Sequence, residues 1–138
     1  ELGGSPIVVE SIDLLTTPTN SAYMVETRLN SVVDDGITGI LLDVEFKDKN
    51  REITVPKLLK SDVVKLAYSG PVRNFSNQHS AAMRNGLYFF EEQPACLEVV
   101  DIQVGFRNER TLSLSSDERA AALRHTIGDL CSVRGVLN

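Results

Sequence analysis

The sequence predicts an α+β fold with a mainly antiparallel β-sheet and a C-terminal amphipathic helix. Apolar and polar residues alternate in several short segments, which is typical of half-buried strands, and a helix-start motif precedes an apolar stripe near the end of the chain. The 138 residues include 42% hydrophobic and 24% charged residues, and no stretch has the composition of an interdomain linker. We therefore expect a single domain over residues 1–138.

Two strands joined by a turn are expected near the N-terminus. In residues 7–15, apolar side chains share one face at period two, interrupted by Glu10, and the alternation returns in residues 23–29. Residues 16–20 supply turn chemistry between these segments. The two strands are expected to pair as a hairpin.

A second hairpin is expected further along the chain. Residues 40–47 show the cleanest alternation of apolar and polar side chains, a polar turn follows at residues 48–51, and residues 52–55 form the return strand. Pro56 ends this strand because it cannot donate a ladder hydrogen bond.

Residues 57–90 fit either strands or helices. The apolar side chains of the first third could form a helical stripe, but residues 62–69 are equally compatible with a strand. Residues 79–90 pose the same choice, because the last four have strong β propensity and Gly86 disfavours a helix. We favour strands in both segments.

The C-terminal region predicts a strand followed by the helix. Residues 100–107 alternate strictly, and Ser115 with Glu118 forms a capping-box pattern. The apolar residues that follow fall at helical spacing and form a narrow stripe: Leu123, Ile127, Leu130 and Cys131. One helix on one sheet leaves apolar surface uncovered. We therefore expect a dimer interface formed by Leu123, Ile127 and Leu130.

The sequence contains no catalytic or metal-ligand pattern, so we expect no enzyme activity, no metal and no cofactor. His79 and His125 are the only histidines, and neither lies in a nucleophile–base arrangement. The acidic pairs at residues 34–35 and 91–92 are interpreted as solvated turns.

Cysteine usage, hydropathy and charge limit the compartment and the partners. Cys96 and Cys131 form no C-x-x-C motif and are expected to be buried free thiols. No apolar run approaches the ~20 residues of a membrane helix, and the first residues lack the regions of a signal peptide. We expect a cytoplasmic protein, or one released from a cytoplasm, with no membrane partner. The net charge of −5 means that RNA binding would need a local cluster of Lys and Arg.

One segment of this acidic chain does gather basic residues. Between Arg51 and Arg84, six basic residues accompany two acidic ones. Amide and aromatic side chains of the same segment can hydrogen-bond to, or stack on, unpaired bases. A solvated face and a surface for single-stranded RNA are about equally compatible with this pattern. The candidate RNA-binding residues are Arg51, Lys65, Tyr68, Arg73, Arg84 and Tyr88.

The C-terminal third resembles the end of the coat proteins of single-stranded RNA bacteriophages, the levivirus-like coat proteins. Residues 99–106, 115–119 and 123–130 carry the resemblance, since those proteins end with a strand, a polar and acidic helix start, and an amphipathic helix. The resemblance implies an antiparallel sheet whose helices cross onto a partner subunit. It further implies that the resulting intertwined homodimer tiles into a shell with RNA against the inner sheet face.

The resulting hypothesis is a structural coat (capsid) subunit that self-assembles and contacts single-stranded RNA. Such a subunit would assemble in the host cytoplasm and be found in the virion. The alternative is a non-catalytic accessory or substrate-binding module of a larger enzyme or replication complex. A dimer or a very large particle in solution would favour the coat subunit, and a monomer would count against it.

Overall fold

The computed structural model describes residues 5–19, 22–31, 36–69 and 81–131, which form two packed four-stranded β-sheets and one short helix. The elements in chain order are β1 (Ile7–Thr16), β2 (Tyr23–Ser31), β3 (Ile37–Lys47), β4 (Val64–Ser69), β5 (Ala81–Tyr88), β6 (Cys96–Phe106), β7 (Thr111–Ser113), α1 (Ser116–Ala122) and β8 (Ile127–Gly128). The fold is α+β and dominated by antiparallel sheet, as predicted.

The strands divide between the two sheets in a recognisable order. The first sheet runs β5-β2-β1-β8, and the second runs β4-β3-β6-β7. Among the strands in the described residues, every pairing is antiparallel except that of β1 with β8, which is parallel. An isolated bridge between Leu97 and Leu130 is also parallel. The sheet of β5, β2, β1 and β8 packs against the sheet of β4, β3, β6 and β7 through a shared core, which is the arrangement of a β-sandwich.

The core lies between the sheets because each strand turns alternate side chains inward. In β3, every second residue from Ile40 to Phe46 is buried, and the residues between them are half-buried. An aromatic group closes one end of the core, where the ring centroid of Phe46 lies 5.1 Å from that of Phe90 and 5.6 Å from that of Tyr88. Burial of these side chains is the main term that favours folding.

The alternation patterns located several strands correctly. β1 and β2 form the predicted antiparallel hairpin, in which Ile12 lies opposite Thr27. The strand interpretation is also confirmed for β4 and β5 within residues 57–90. Residues 70–80 of that segment lie outside the described residues.

The return strand predicted at residues 52–55 is reduced to a single bridge. Ile53 pairs with β3, opposite Lys47. The side chain of Thr54 is held instead by the chain that follows β5, because its hydroxyl donates to the carbonyl of Glu92 at 2.6 Å. The predicted hairpin and its turn therefore form, but the return strand is limited to this one bridge.

The predicted helix begins where expected and ends much sooner. The Ser115 hydroxyl accepts a hydrogen bond from the Glu118 N–H at 3.2 Å, and the Glu118 carboxylate accepts one from the Ser115 N–H at 2.8 Å. This capping box is confirmed. α1 nevertheless ends at Ala122, with Leu123 as its C-cap.

Residues 126–131, which we call the strap, connect the two sheets. The Asp129 N–H donates to the Ile12 carbonyl at 2.7 Å, and the Asp129 carbonyl accepts from the Leu97 N–H at 2.9 Å. Ile12 belongs to the first sheet and Leu97 to the second. These long-range bonds override the helical spacing of the sequence, because tertiary contacts outweigh local propensity.

The predicted amphipathic stripe is consequently absent. Leu130 is buried and Leu123 half-buried against the chain's own core, whereas Ile127 is 69% exposed on β8. A contact between subunits through these three residues stays a prediction, but the helix on which it was based does not extend that far.

Cys96 and Cys131 form a disulfide bond, so the prediction of two free thiols was wrong. Their Cα atoms lie 5.2 Å apart, and 35 positions separate them in sequence. Both cysteines are buried, as expected. Their proximity depends on the path of the strap, which residue spacing alone does not reveal. The bond fixes the end of the strap to the first residue of β6.

A buried hydroxyl in β2 provides a test of the core. Thr27 is fully buried, and its Oγ1 has no hydrogen-bond partner among the described residues. Because an unsatisfied buried polar group costs about 1–3 kcal/mol, Thr27→Val is expected to raise the free energy of unfolding by about 1 kcal/mol in a urea titration. The control is Thr126→Val, which removes a hydroxyl that donates to the Val9 carbonyl at 2.6 Å, and it is expected to lower that free energy by about 1 kcal/mol. Equal losses in the two variants would contradict this interpretation.

Candidate functional site

The basic residues predicted to bind RNA are partly neutralised by neighbouring strands. The Lys65 Nζ lies 3.3 Å from a carboxylate oxygen of Asp43, and the Arg84 Nε lies 3.1 Å from one of Glu26. Arg51 is exposed in the turn after β3, and Arg73 lies outside the described residues. Neighbouring carboxylates therefore reduce the positive charge around Lys65 and Arg84, and RNA binding by the predicted residues stays a prediction.

The two tyrosines of the predicted RNA surface belong to different sheets and pack against the core. Tyr68 lies on β4 and Tyr88 on β5, and both are half-buried. Burial raises the pKa of the Tyr88 hydroxyl above its ordinary value. Base stacking needs an open ring face, and RNA binding by these tyrosines stays a prediction.

No constellation for chemistry appears in the part of the chain that the structure describes. Cys131 is disulfide-bonded, and His125 is exposed beyond the end of α1. Within the same residues, no group of three His, Cys, Asp or Glu side chains is placed to hold a metal ion. His79 and the acidic pair at residues 34–35 lie outside them. Absence of enzyme activity stays a prediction.

An acidic side chain lies next to the strap. Burial, followed by the charges of Asp129 and Glu26, raises the pKa of the Asp13 carboxyl above its ordinary value. Asp129 is oriented towards β1 because its carboxylate accepts a hydrogen bond from the Leu14 N–H at 2.9 Å. The Asp129 carboxylate therefore helps to hold the strap against β1. The nearby Asp13 carboxylate repels it and so opposes this attachment.

The most unusual backbone position is a leucine at the tip of a turn. The Leu59 N–H donates to the Pro56 carbonyl at 3.2 Å, which closes a four-residue turn. Leu58 occupies the third position with φ of 77° and is 97% exposed. A positive φ at this position is the geometry of a type II turn, where glycine is preferred because a side chain is strained. The fold thus holds a large apolar side chain in water in an unfavourable conformation.

Further apolar side chains surround this turn. The Lys57 N–H donates to the Phe89 carbonyl at 2.7 Å, which fixes the turn beside the residues that end β5. Tyr88 and Phe90 pack against the core, so Leu87 and Phe89, which alternate with them, point outward. We name the resulting patch the dileucine-turn surface; its members and their exposed fractions are Leu58 (97%), Leu59 (43%), Leu87 (57%) and Phe89 (43%).

Exposed charged side chains lie next to this surface in the sequence. Lys57 and Lys60 flank the turn, and both are exposed. Glu91 and Glu92, also exposed, follow Phe89 on the neighbouring segment. None of these four side chains forms an ion pair with any residue that the structure describes. Charged side chains of both signs therefore neighbour the apolar residues of this surface.

The sequence interpretation missed this surface. Its two leucines were included in a possible helical stripe within residues 57–90, and Glu91 with Glu92 was interpreted as a solvated turn. The available signal was the apolar pair Leu58-Leu59, which stands between Lys57 and Lys60 shortly after Pro56 and belongs to no alternating pattern that would bury it.

Comparisons with known proteins support the fold. No protein-family model matches the chain, and no curated protein matches it in sequence. Among solved structures, the chain is similar to IrmA from Escherichia coli, with a TM-score of 0.52 and 16% sequence identity. The alignment covers 91% of this chain and 92% of that chain. Identity at this level shows a shared fold and nothing about activity or partners.

The interpretation as a bacteriophage coat protein was wrong. The similarity extends over nearly the whole of this chain and is to a bacterial protein, not to a phage coat protein. The long C-terminal helix that carried the resemblance is replaced by the short α1 and the strap. A capsid subunit of a virion with RNA on its inner sheet face is therefore excluded as the interpretation of this chain.

No helix within the described ranges is both long and apolar enough to cross a membrane.

Proposed function

We propose that this chain is a non-catalytic recognition domain that binds a protein partner through the dileucine-turn surface. The observation that carries the proposal is Leu58, which is almost fully exposed in a conformation that disfavours any side chain. A strained non-glycine residue costs about 1–3 kcal/mol, and exposure of leucine gives up its burial energy as well. Such a residue is best explained by a contact that the free chain lacks.

The neighbours of Leu58 support a contact surface over an isolated exposed residue. Single apolar residues on a surface are ordinary, but a contiguous apolar patch with a polar rim marks an interaction site. Leu59, Leu87 and Phe89 extend the apolar area, and charged side chains border it. Aromatic and aliphatic residues surrounded by charges are the usual composition of a protein interface.

The disulfide supports a location in an oxidising compartment. Disulfide bonds persist in secreted, periplasmic and cell-surface proteins and are rare in the reducing cytoplasm. The Cys96–Cys131 bond joins two buried residues and fixes the strap, so it is part of the fold itself. We therefore propose that the domain works outside the cytoplasm.

Replacing the strained leucine by glycine should separate stability from binding. Leu58→Gly relieves the positive φ and is expected to raise the free energy of unfolding by about 1 kcal/mol in a urea titration. The same variant removes the tip of the surface. With a photoreactive side chain at position 87, the native chain is expected to cross-link a partner of discrete mass in cells of the organism that encodes it. In the Leu58→Gly variant, this cross-linked product should be lost.

The matched control is Glu109→Gly. Glu109 also has a positive φ, at 67°, in the turn between β6 and β7, so the substitution should stabilise the fold by a similar amount. The cross-link from position 87 should remain. Loss of the product in both variants, or no product in the native chain, would overturn the proposed function.

A further inference from the structure

Two aspartates lie side by side where the strap meets β1. The parallel pairing of β1 with β8 places Ile12 beside Gly128, and the next residues along the two segments are Asp13 and Asp129. A Cβ atom at Gly128 would lie 2.7 Å from the Oδ1 of Asp13. The Asp13 carboxylate therefore lies directly against the backbone of the strap.

The other side of Asp13 is acidic as well. Asp13 is the direct partner of Glu26 in the pairing of β1 with β2, and side chains at opposite positions of antiparallel strands are close neighbours. Glu26 engages both guanidinium groups nearby, with Arg84 at 3.1 Å and Arg28 at 3.9 Å. Asp13 itself forms no ion pair within the residues that the structure describes. It therefore lies between two carboxylates without a cation of its own.

The charges that act on Asp13 come from the strap and from β2. Burial contributes most to the raised pKa of its carboxyl, followed by the charges of Asp129 and Glu26, and the Arg28 guanidinium lowers this pKa by less. α1 also packs against β1. The charged residues of α1 and of the loop that follows it are not among the groups that shift this pKa: Asp117, Glu118, Arg119, Arg124 and His125.

We propose that acid strengthens the attachment of the strap to β1, because protonation of Asp13 removes its repulsion of Asp129 and leaves the hydrogen bonds of Asp129 in place. Two such bonds join the strap to β1: the Asp129 N–H donates to the Ile12 carbonyl at 2.7 Å, and the Leu14 N–H donates to the Asp129 carboxylate at 2.9 Å. When the strap is detached, Asp13 still faces Glu26 but no longer meets Asp129. This inference does not depend on the dileucine-turn surface.

The direction of the pH dependence follows from linkage. A carboxyl whose pKa is higher with the strap attached than detached stabilises the attached form in full below the lower of the two pKa values. This contribution is lost as the pH rises through the higher value. Because an aspartate ordinarily has a pKa of about 3.9, the loss falls between about pH 4 and about pH 7. The strap is therefore detached more often at neutral than at mildly acidic pH.

Detachment would change one edge of the first sheet. The Ile12 carbonyl and the Leu14 N–H would lose the partners that the strap provides, and unpaired groups on an edge strand are available to another strand. The disulfide keeps Cys131 at β6, so the movement is confined to the part of the strap before it. The pH thus controls how often this part of the β1 edge is uncovered.

Amide hydrogen exchange of the full chain, followed by NMR, tests this inference. Protection is the exchange rate of an unstructured chain at the same pH divided by the measured rate. For the N–H groups of Asp129 and Leu14, we expect at least about threefold greater protection at about pH 4.5 than at about pH 7.5, since one unit of pKa corresponds to a factor of ten. Asp13→Asn should remove this difference. The control is Glu45→Gln, which neutralises a half-buried carboxylate on the outer face of β3 and should preserve it.

A second variant separates charge from hydrogen bonding. In Asp129→Asn, the amide oxygen can still accept from the Leu14 N–H, but the charge that Asp13 meets is gone, so the pH dependence should also disappear. If Asp13→Asn fails to fold, this variant decides alone. Equal protection of the native chain at both pH values overturns the inference, as does a difference that persists in either aspartate variant. Loss of the difference in Glu45→Gln also overturns it, because the effect would then belong to the charge of the whole chain.

Discussion

Removal of the disulfide, by Cys96→Ala with Cys131→Ala, is expected to lower the free energy of unfolding by about 4 kcal/mol. The bond closes a loop whose ends are 35 positions apart, and restricting a loop of that length in the unfolded chain is worth roughly this amount. The cysteines are 4% and 2% exposed, so the variant also loses buried packing at the end of the strap. This is the largest effect expected from a change outside the core between the sheets.

The measurement is a guanidinium titration of the native and variant chains, followed by circular dichroism. The native chain, reduced while unfolded and refolded with a reductant present, serves as the control and should match the variant within about 1 kcal/mol. A variant that loses less than 1 kcal/mol would show that the strap is held without the covalent bond, and the bond would then not support a location in an oxidising compartment.

Gly128→Ala is expected to lower the free energy of unfolding by about 3 kcal/mol. Gly128 has φ of 113°, a conformation that side chains rarely adopt, and a Cβ atom there would overlap the Ile12 carbonyl. The backbone of β1 cannot yield without losing its pairing with β2. The substitution should therefore detach β8 from β1, and the Asp129 N–H, which bonds to that carbonyl, should exchange with solvent much faster.

The control is Gly105→Ala in β6. A Cβ atom at Gly105 would meet its nearest neighbour, the Gly39 carbonyl, at 3.8 Å, which is an ordinary contact, and the backbone there has no positive φ. The change should leave stability within about 0.5 kcal/mol or raise it slightly. If thermal unfolding shows equal losses for the two glycines, the close approach of the strap to β1 is not the cause.

Strict alternation made several strands predictable. β3 and β6 each bury one face and leave the other half exposed, so buried and half-exposed positions largely alternate along both strands. The hairpin of β1 and β2 was equally readable, because a short turn joins neighbouring strands. Sequence patterns do not state which distant strands pair, however. The division into two sheets, with β1 beside β8, depends on contacts such as Ser11 with Ile127 that join opposite ends of the chain.

The C-terminal region shows how a local pattern can mislead. The capping box at Ser115 does begin a helix. Leu123, Ile127 and Leu130 have helical spacing in the sequence, but they lie in three separate environments. The first lies at the helix cap, the second is exposed on β8, and the third is buried in the core. Helical spacing over three residues is too weak to outweigh a disulfide and a strand pairing that fix the same segment.

The proposed binding surface was the least predictable part. Counting basic residues in one segment overlooked the acidic residues on adjacent strands, which pair with Lys65 and Arg84. Exposure of Leu58 could not be foreseen either, because it follows from a backbone angle that leucine rarely adopts. Sequence composition describes which side chains are present, whereas a binding surface depends on which of them the fold leaves outside.

The disulfide also determines how the chain would bear a pulling force. Tension applied at Cys131 passes through the covalent bond to Cys96, at the start of β6. The residues between them form a closed loop that cannot be drawn out, which shortens the extension on unfolding by about 120 Å at roughly 3.5 Å per residue. Since β6 lies between β3 and β7, the load enters the interior of a sheet and does not peel the strap from its edge. Under oxidising conditions, Cys131 is thus a point at which the fold can bear an external force.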